Sequence, residues 1–392
     1  MDNIHNIINN NERIRPTRME VNLDNLVHNL QQIKMMAGPD AMVCASMKAN
    51  AYGHGAARVA AAVLENGADR LSVAFLDEAL ELRGAGIAAP VLILGALEKD
   101  GAREVVANGL GQTVSTFAEA KALSDTAARL NIHAIIHIKV DTGMGRLGFL
   151  SESPSVLDDI IAACSLPHVF TEGIFTHFAS SDEADAGYTE RQLRTFNDIC
   201  GGLKSRGLDI PIRHCSNSAA INGFRHASLD MVRPGIALYG GAGVLPGAHH
   251  SDARLRRVMS LMTRVALVKK ISTGTSVGYN RRFIAGRDSV IATLPLGYGD
   301  GYNRGLSCGK GEILINGMRS PVAGLICMDQ CMADVTDAGV VNIGDEAVLY
   351  GKQGDDEITL EEVSRTLNTI PYEIMCAVSR RVPRVYVQMD RP

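Results

Sequence analysis

The sequence lacks the features that define several large classes of protein. No window approaches the roughly 18 uncharged apolar residues of a membrane-spanning helix, so none is predicted. No basic run is present and the net charge is −4, which gives no support for binding nucleic acid or an anionic membrane. The polar start MDNIHNIINNNERIRP lacks the layout of a signal peptide. We therefore expect a flexible tail over residues 1–17 and a cytoplasmic protein.

Cysteine is also sparse, with eight residues scattered along the chain. Only Cys327 and Cys331 lie close together, in a C-x-x-x-C spacing that has no second pair. Zinc-type sites usually need two such pairs, so we predict no metal site and expect reduced, mostly buried thiols.

What is present is an ordinary globular composition, with 46% hydrophobic and 21% charged residues. A chain of 392 residues is too long for one small domain. It allows one large α/β barrel with a smaller domain, or two or three domains of medium size.

From about residue 40 the chain alternates short apolar runs with amphipathic stretches, and each run but the last is followed by a plausible helix. The eight strand candidates are 41–47, 71–75, 91–97, 111–115, 133–141, 169–178, 210–216 and 229–240. Such alternation is typical of a parallel sheet, and eight units favour closure. We predict an eight-stranded (β/α)8 TIM-type barrel over residues 18–254.

The pattern changes after about residue 255, where strand-like runs are separated by turn signals. Asn316-Gly317, flanked by apolar residues, predicts a hairpin. One helix is expected at 359–368, with Thr359 as N-cap and Glu362 three residues later. Residues 255–392 are therefore predicted to form a mostly antiparallel β domain.

Candidate site residues collect where the predicted barrel strands end. The residues at these ends are Lys48, Arg146, His177, Ser216, Asn217, Ser218, Arg233, Gly235 and Ile236. Active sites of such barrels lie at this face, and the loops after strands 7 and 8 often bind phosphate. A lysine at a strand end beside a phosphate corner suggests pyridoxal phosphate held as a Schiff base. The alternative for Lys48 is a lysine that only lines the barrel rim.

Nine motifs, in the same order and along nearly the whole chain, resemble the alanine racemase family. Members of this family are pyridoxal-phosphate enzymes of fold type III. The motifs are KANAYGHG, KVDTGMGRLG, THFASSDE, CSNSAA, VRPGIALYG, SVGY, GYGDGYNR, ICMDQ and PYEI. The family's fold, a barrel followed by a β domain, agrees with the strand pattern.

The resemblance implies a role for each matching residue. Lys48 would carry the cofactor and act as one base, and Tyr279 would be the second base, oriented by His177. In the family this tyrosine reaches the cofactor of the other subunit, which implies a homodimer with composite sites. Arg233, supported by His214, would face the pyridine nitrogen and leave it unprotonated, because arginine does not release its proton.

Further matches surround the cofactor and the substrate. Tyr52, Ser218, Gly235, Ile236 and Tyr372 match phosphate-binding positions, Asn217 is expected to contact the cofactor, and Tyr298 to support the site. Arg146 and the Met328 backbone match positions near the substrate carboxylate, and Arg146 also matches a partner of the cofactor's phenolic oxygen. Lys139 matches a lysine that is often carbamylated, which would give Arg146 a negative partner.

The sequence departs from the family pattern at Leu325, where an arginine is usual, and at Arg281 and Arg282, where smaller residues are expected. Arg304 and Asp182 on the substrate access route are kept, and Leu147 favours alanine over broad specificity. The first reading is racemisation of alanine to supply D-alanine for peptidoglycan, with catabolism as another role. The alternatives are a racemase for serine, lysine or arginine, a decarboxylase of basic amino acids, and a non-catalytic cofactor-binding protein.

Overall fold

The computed structural model describes residues 15–241 and 255–388. The chain divides into two units, Leu23–Arg256 and a second made of Met1–Asn22 together with Arg257–Pro392. The first strand, β1 (Arg18–Asn22), belongs to the second unit.

The Leu23–Arg256 unit is a parallel barrel with helices between its strands. Its strands are β2 (Met42–Ser46), β3 (Arg70–Val73), β4 (Val91–Ile93), β5 (Gly111–Val114), β6 (Ala134–Asp141), β7 (Phe149–Leu150), β8 (Val169–Phe175), β9 (Ile212–His214) and β10 (Met231–Val232). Its helices are α1 (Leu23–Ala37), α2 (Lys48–Tyr52), α3 (Ala56–Glu65), α4 (Leu76–Gly84), α5 (Ala102–Ala107), α6 (Phe117–Leu130), α7 (Val156–Cys164), α8 (Gly187–Ser205), α9 (Ser218–Gly223) and the 3₁₀ turns Arg225–Ala227 and Ile236–Tyr239.

Eight of these strands form one parallel path in the order β10-β2-β3-β4-β5-β6-β8-β9, and β7 pairs only with β6. The gap between β9 and β10 is bridged by two backbone hydrogen bonds, from Asp230 N to Arg213 O at 3.1 Å and from Arg233 N to Ser216 O at 2.9 Å. Every residue of β3, β4 and β5 is buried, as expected for strands covered on both faces. The predicted (β/α)8 barrel is confirmed.

The other unit is mostly antiparallel. Its further strands are β11 (Met259–Arg264), β12 (Leu267–Ile271), β13 (Ser276–Val277), β14 (Phe283–Ile284), β15 (Ser289–Leu294), β16 (Glu312–Ile315), β17 (Met318–Pro321), β18 (Cys331–Asp334), β19 (Glu346–Gln353), β20 (Asp356–Ile358) and β21 (Arg384–Val387). Its helices are α10 (Leu360–Leu367), α11 (Pro371–Ala377) and the 3₁₀ turns Tyr279–Arg281, Tyr298–Asp300 and Arg304–Leu306.

Several local predictions for this unit are confirmed. β16 and β17 pair across Asn316-Gly317, and both turn residues have the positive φ that a tight hairpin needs. Helix α10 begins after Thr359, whose hydroxyl accepts the Glu362 N–H at 3.0 Å.

The amino-terminal boundary differs from the sequence-based assignment of residues 18–254 to the barrel. β1 pairs antiparallel with β11 and parallel with β21, and Met19 and Val21 on one of its faces are fully buried. Residues 1–14 of the predicted tail lie outside the described residues. Its last residues are ordered, since Arg15 donates to Asp300 at 2.7 Å and Thr17 hydrogen-bonds Thr263 at 2.9 Å.

Two absences concern the described residues alone. None of the helices in that part of the chain is long and apolar enough to span a membrane. Within residues 15–241 and 255–388, no group of three or more His, Cys, Asp and Glu side chains is placed to hold a metal ion. All eight cysteines are free thiols, of which Cys308 and Cys376 are exposed.

Candidate active site

Lys48 stands where β2 ends, at the start of a turn with unusual backbone geometry. The next four residues, Ala49 to Tyr52, all have φ between 52° and 55°, so α2 is a left-handed helical turn. That conformation costs an L-residue about 1–2 kcal/mol. Consecutive non-glycine residues keep it only where the surrounding structure enforces it, and such strain is concentrated at functional sites.

A set of hydrogen bonds enforces this turn. Glu78 Oε1 accepts the Ala49 N–H at 2.6 Å, and Asn50 Oδ1 accepts the Ala56 N–H at 2.8 Å. The His54 ring lies 3.0 Å from the carbonyls of Ala51 and Tyr52 through Nδ1, and it stacks on Tyr239. Lys48 is therefore presented from a braced segment rather than from a loose loop.

A compact polar corner lies beyond β9 and β10. Ser218 Oγ accepts the N–H groups of Gly235 at 2.8 Å and of Ala237 at 3.2 Å. A Cβ on Gly235 would overlap the Tyr52 hydroxyl, so only glycine permits this approach. Ile236 begins the adjoining 3₁₀ turn, and Asn217 caps α9 by accepting the Ala220 N–H at 3.0 Å. The Ser218 and Tyr52 hydroxyls and the backbone of this glycine turn thus meet in one polar corner, and such a cluster of small polar groups suits an anion.

Four basic side chains act electrostatically on the His177 imidazole. Burial holds the pKa of His177 well below its usual value, and Arg233, Arg146, Lys139 and Lys48 lower it further, in that order. His177 is therefore neutral at physiological pH. A pocket with this many positive groups is electrostatically suited to a ligand that carries phosphate and carboxylate charges.

Arg233 is 5% exposed and makes four hydrogen bonds. It donates to His214 Nδ1 at 2.6 Å, to Thr176 O at 2.8 Å and to Cys215 O at 3.2 Å, and it lies 3.3 Å from His177 Nδ1. Burial lowers the pKa of Arg233 to about 10, so the guanidinium remains charged at neutral pH.

Lys139 lies in β6 with its amine donating to Val140 O at 2.7 Å. Burial, followed by the charge of Arg233, lowers the pKa of Lys139 to about 7, and Arg146 acts in the same direction. Loss of the proton removes the like-charge repulsion with Arg146 that the sequence implies. Asp141, which accepts the N–H groups of Gly143 at 2.9 Å and Gly145 at 3.1 Å, shapes the loop that carries Arg146.

Tyr279 lies in the β unit and its side chain is 67% exposed. The turn that carries Tyr279 has an unusual backbone, because Gly278, Asn280 and Arg281 all have positive φ. A Cβ on Gly324 would come within 2.7 Å of Val277 O, so the strand before Tyr279 packs directly on that glycine. Tyr279 lines a cleft of about 620 Å³ together with Lys269, Ser276, Cys327 and Gln330.

The other residues of this unit that the sequence analysis named lie in three places. The Tyr298 N–H donates to Cys327 O at 3.0 Å and the Gly299 N–H to Met328 O at 2.9 Å, which joins the Tyr298 turn to the Met328 loop. Tyr372 lies in the first turn of α11, and the half-buried Leu325 adjoins Gly278.

The structure thus divides the predicted site residues between the units. The barrel holds Lys48, Tyr52, Lys139, Arg146, His177, His214, Asn217, Ser218, Arg233, Gly235 and Ile236, and the β unit holds Tyr279, Tyr298, Met328 and Tyr372. Sequence reasoning missed Glu78 and His54, which brace the lysine turn, and His137, Glu172 and Arg70, which lie behind His214. The sequence signal that could have revealed His137 and Glu172 was the presence of a histidine and a glutamate inside the apolar runs of β6 and β8.

These features define a class, a (β/α)8 barrel with a lysine at its first strand end and an anion-suited corner at its last two strands, joined to a β domain. Sequence comparison identifies the family within that class. Residues 21–243 match the alanine racemase N-terminal domain and residues 258–386 match the alanine racemase C-terminal domain. The chain belongs to the alanine racemase family.

Individual relatives agree with this assignment. "Alanine racemase 2" of Caldanaerobacter subterraneus subsp. tengcongensis is 45% identical over 376 residues, covering 96% of each chain. The solved alanine racemase of Clostridium difficile has a TM-score of 0.92 and 36% identity, covering 97% of this chain and 98% of its own. A histidine racemase from Leuconostoc mesenteroides has a TM-score of 0.87 and 28% identity, covering 97% of this chain and all of its own.

Proposed function

We propose that this protein is a pyridoxal-phosphate-dependent racemase that interconverts L-alanine and D-alanine. The observation that carries the proposal is the braced Lys48 at the end of β2, beside a cation-rich pocket and a polar corner built from Ser218 and Gly235. Membership of the alanine racemase family supports the same substrate.

The residues present fit this cofactor. The lack of a side chain at Gly235 lets the Tyr52 hydroxyl approach the backbone there, and Ser218 and Ile236 adjoin the same place, so these residues could together hold a phosphate group. Asn217 borders the same corner, and we propose that Tyr372 also contacts the phosphate. Arg233 would donate to the ring nitrogen and Arg146 to the phenolic oxygen. When bound, pyridoxal phosphate withdraws electrons from the attached amino acid and makes its Cα proton acidic.

Racemisation needs one proton-transfer group on each face of Cα. Lys48 Nζ serves one face, and the Tyr279 hydroxyl of a second copy serves the other. Because the Nδ1 of neutral His177 accepts from Arg233, its proton lies on Nε2, where it can be donated to a phenol oxygen and so orient it. We therefore propose a homodimer in which each site combines the barrel of one chain with the β unit of its partner.

Arg233 limits side reactions in this scheme. A charged guanidinium cannot transfer its proton to a ring nitrogen, so that nitrogen stays unprotonated and the ring withdraws electrons less strongly.

Lys139, with a pKa of about 7, has a large neutral fraction at physiological pH, and the neutral amine is the form that reacts with carbon dioxide. Carbamylation of Lys139 would place a negative charge beside Arg146 and hold it toward the substrate carboxylate, near the Met328 backbone. Tyr298 supports the Met328 loop.

A racemase for another amino acid is the second candidate. The fold likeness to a histidine racemase and the departures at Leu325, Arg281 and Arg282 motivate it. A decarboxylase or a cofactor carrier is less consistent with Tyr279 on a complete β unit. We assign the alanine activity to the cytoplasm and to supply of D-alanine for peptidoglycan.

The test is racemisation by the purified protein with added pyridoxal phosphate. L-Ala, L-Ser, L-Lys, L-Arg and L-His are assayed separately and the products are resolved by chiral chromatography. We expect L-Ala to be turned over fastest by a wide margin. Faster turnover of another amino acid would move the assignment to that substrate, and no racemisation of any of them would reject the function.

A further inference from the structure

Arg233 is a buried cation whose hydrogen-bond acceptors are all uncharged. They are a ring nitrogen of His214, the carbonyls of Thr176 and Cys215, and His177. A buried charge is costly unless groups around it compensate. The negative charge available to compensate Arg233 is that of Glu172, and it is connected to Arg233 through histidine side chains.

The connection runs from Arg233 to the Glu172 carboxylate in three hydrogen bonds. Arg233 Nη1 lies 2.6 Å from His214 Nδ1, and His214 Nε2 lies 2.9 Å from His137 Nδ1. His137 Nε2 lies 2.8 Å from Glu172 Oε2, which also accepts from Arg70 Nη1 at 2.6 Å.

Donor and acceptor rules give this chain one direction. A guanidinium has no acceptor, so His214 Nδ1 must accept and, in the neutral ring, the proton lies on Nε2. His214 Nε2–H then donates to His137 Nδ1, and the proton of neutral His137 lies on its own Nε2. That proton is donated to Glu172. Each ring is thus confined to a single tautomer by partners at both ends.

The protonation states are consistent with this direction. Burial, with the charge of Arg233 second, holds the pKa of His214 well below its usual value. Burial also lowers the pKa of His137 and outweighs the opposing effect of Glu172. For Glu172 burial acts upward, but hydrogen bonds from His137 and Arg70 outweigh it and lower the pKa to about 2.

The backbone is built to admit these rings. The pairing of β6 with β8 shifts register between Ile136 and His137, so Glu172 is the extra residue of a bulge, and bulges re-aim side chains. The next residue, Gly173, leaves the space that the His137 ring fills, because a Cβ there would overlap Nδ1 and Cε1 of that ring. Phe175 stacks on His214 with centroids 4.7 Å apart.

We propose that Glu172, His137 and His214 form a directional relay of positioning residues that holds Arg233 as a hydrogen-bond donor toward the cofactor ring. The inference rests on the proposed function for the identity of the ligand that Arg233 contacts. The relay itself is a property of this chain, and it can be tested without catalysis.

The first test is the tautomer of each histidine in the full-length protein, with and without pyridoxal phosphate. Histidine labelled with ¹⁵N distinguishes Nδ1–H, Nε2–H and imidazolium forms by NMR, and His137→Gln and His214→Gln assign two of the 11 histidines. We expect both to be neutral Nε2–H rings at pH 7.5. An Nδ1–H form or an imidazolium at either position would overturn the relay. No variant has to be active for this reading.

The second test displaces one ring without changing any charge. Gly173→Ala should push His137 out of line, whereas Gly111→Ala is the matched control, since its Cβ would lie 3.8 Å from the same ring in ordinary contact. We expect Gly173→Ala to weaken pyridoxal phosphate binding about tenfold or more, as for loss of a hydrogen bond to a charged group, and to shift the His214 signals. The control should stay within about twofold.

Glu172→Gln keeps the shape of the relay and removes its negative charge. This variant replaces Gly173→Ala in the test if Gly173→Ala does not fold. We expect a smaller loss of cofactor affinity and a changed His137 signal. If either variant lowers only the melting temperature, with His214 signals and cofactor affinity unchanged, the relay is merely structural and the proposal fails. If the wild-type protein neither binds pyridoxal phosphate nor racemises, the proposed function fails, and the tautomers still report on the relay.

Discussion

The two regions that carry the predicted catalytic residues are built in opposite ways. In the barrel, Lys48 begins a strained turn braced by Glu78 and His54, and Arg233 is 5% exposed among four acceptors. In the β unit, Tyr279 is 67% exposed on a short turn held by glycine contacts. One region positions its side chains through neighbours in its own unit, and the other presents a side chain outward.

The difference indicates what each region needs from elsewhere. The position of a buried side chain with hydrogen-bond partners on several sides is set within one unit. Substitutions around such a side chain should therefore affect it through backbone strain or a change of charge. An exposed tyrosine obtains no such orientation from the described residues of its cleft. Its proposed role as a base therefore depends on contact with another surface, which is the physical basis for proposing a composite site.

The largest expected effect tests the exposed region. Tyr279→Phe should lower kcat for alanine racemisation about 10²- to 10⁴-fold, since it removes one proton-transfer group and leaves the barrel unchanged. Pyridoxal phosphate should remain bound, as judged by its absorption. Tyr350→Phe, which removes a buried hydroxyl from the same unit, is the control and should leave kcat unchanged. A Tyr279→Phe enzyme with more than a tenth of wild-type kcat would reject the second-base role.

The next effect tests charge in the buried region through pH. With a pKa of about 7, folded Lys139 has lost its proton between pH 7 and 10, where the unfolded chain retains it. The unfolded state then binds more protons, so stability rises with pH across that window, and the cost of burying Lys139 is greatest below pH 7. Lys139→Met should remove this slope.

The stabilisation of the Lys139→Met variant relative to wild type should be about 2 kcal/mol larger at pH 6 than at pH 9. Urea unfolding in buffers depleted of carbon dioxide measures the difference, because carbamylation would mask it. Lys121→Met on the exposed face of α6 is the control and should show no such dependence. An equal change in the free energy of unfolding at both pH values would mean that the pKa of Lys139 is not lowered in the folded protein.

A smaller effect tests the strained turn. Ala49 has φ 52° and ψ 48°, which glycine adopts without strain. Ala49→Gly should therefore stabilise the protein by up to about 1 kcal/mol, because relief of strain exceeds the added entropy of the unfolded chain. Ala122→Gly in right-handed α6 should instead destabilise it by about 1 kcal/mol. Destabilisation by both changes would contradict the left-handed geometry.

The smallest effect concerns specificity in the β unit. Leu325→Arg places an arginine beside Gly278 and so adds a positive charge there. We expect KM for L-alanine to change less than about fivefold, because the arginine can extend its charged end from this half-buried position into solvent, while any activity on lysine or arginine falls by charge repulsion. Leu267→Arg on β12 is the control for a general effect of charge. A gain in activity on basic amino acids would contradict this.

Much of the fold could be predicted because its signals are local. Alternation of apolar runs with helices predicted eight barrel strands, and Asn316-Gly317 and Thr359 predicted a hairpin and a cap that the structure confirms. β1 was missed as part of the β unit because its partners, β11 and β21, lie more than 200 residues away in sequence. Pairing over such separation leaves no local signal.

The candidate site divides along the same line. Lys48, Arg146, His177 and Arg233 were predictable because strand ends of a parallel barrel share one face. The left-handed turn after Lys48 was not, since alanine and asparagine ordinarily favour other conformations and only the surrounding hydrogen bonds select it. Glu172 was missed because a bulge turns it from the position that simple alternation predicts.

By itself, the sequence determined the order of elements, the barrel followed by a β domain, and the family, because apolar periodicity, turn residues and motif spacing are properties of short segments. Only the tertiary structure decided which groups are charged and where they point. The lowered pKa of Lys139, the neutral His177 and the relay from Arg233 to Glu172 all arise from burial and from contacts between strands distant in sequence. Such effects exist only once the chain is packed.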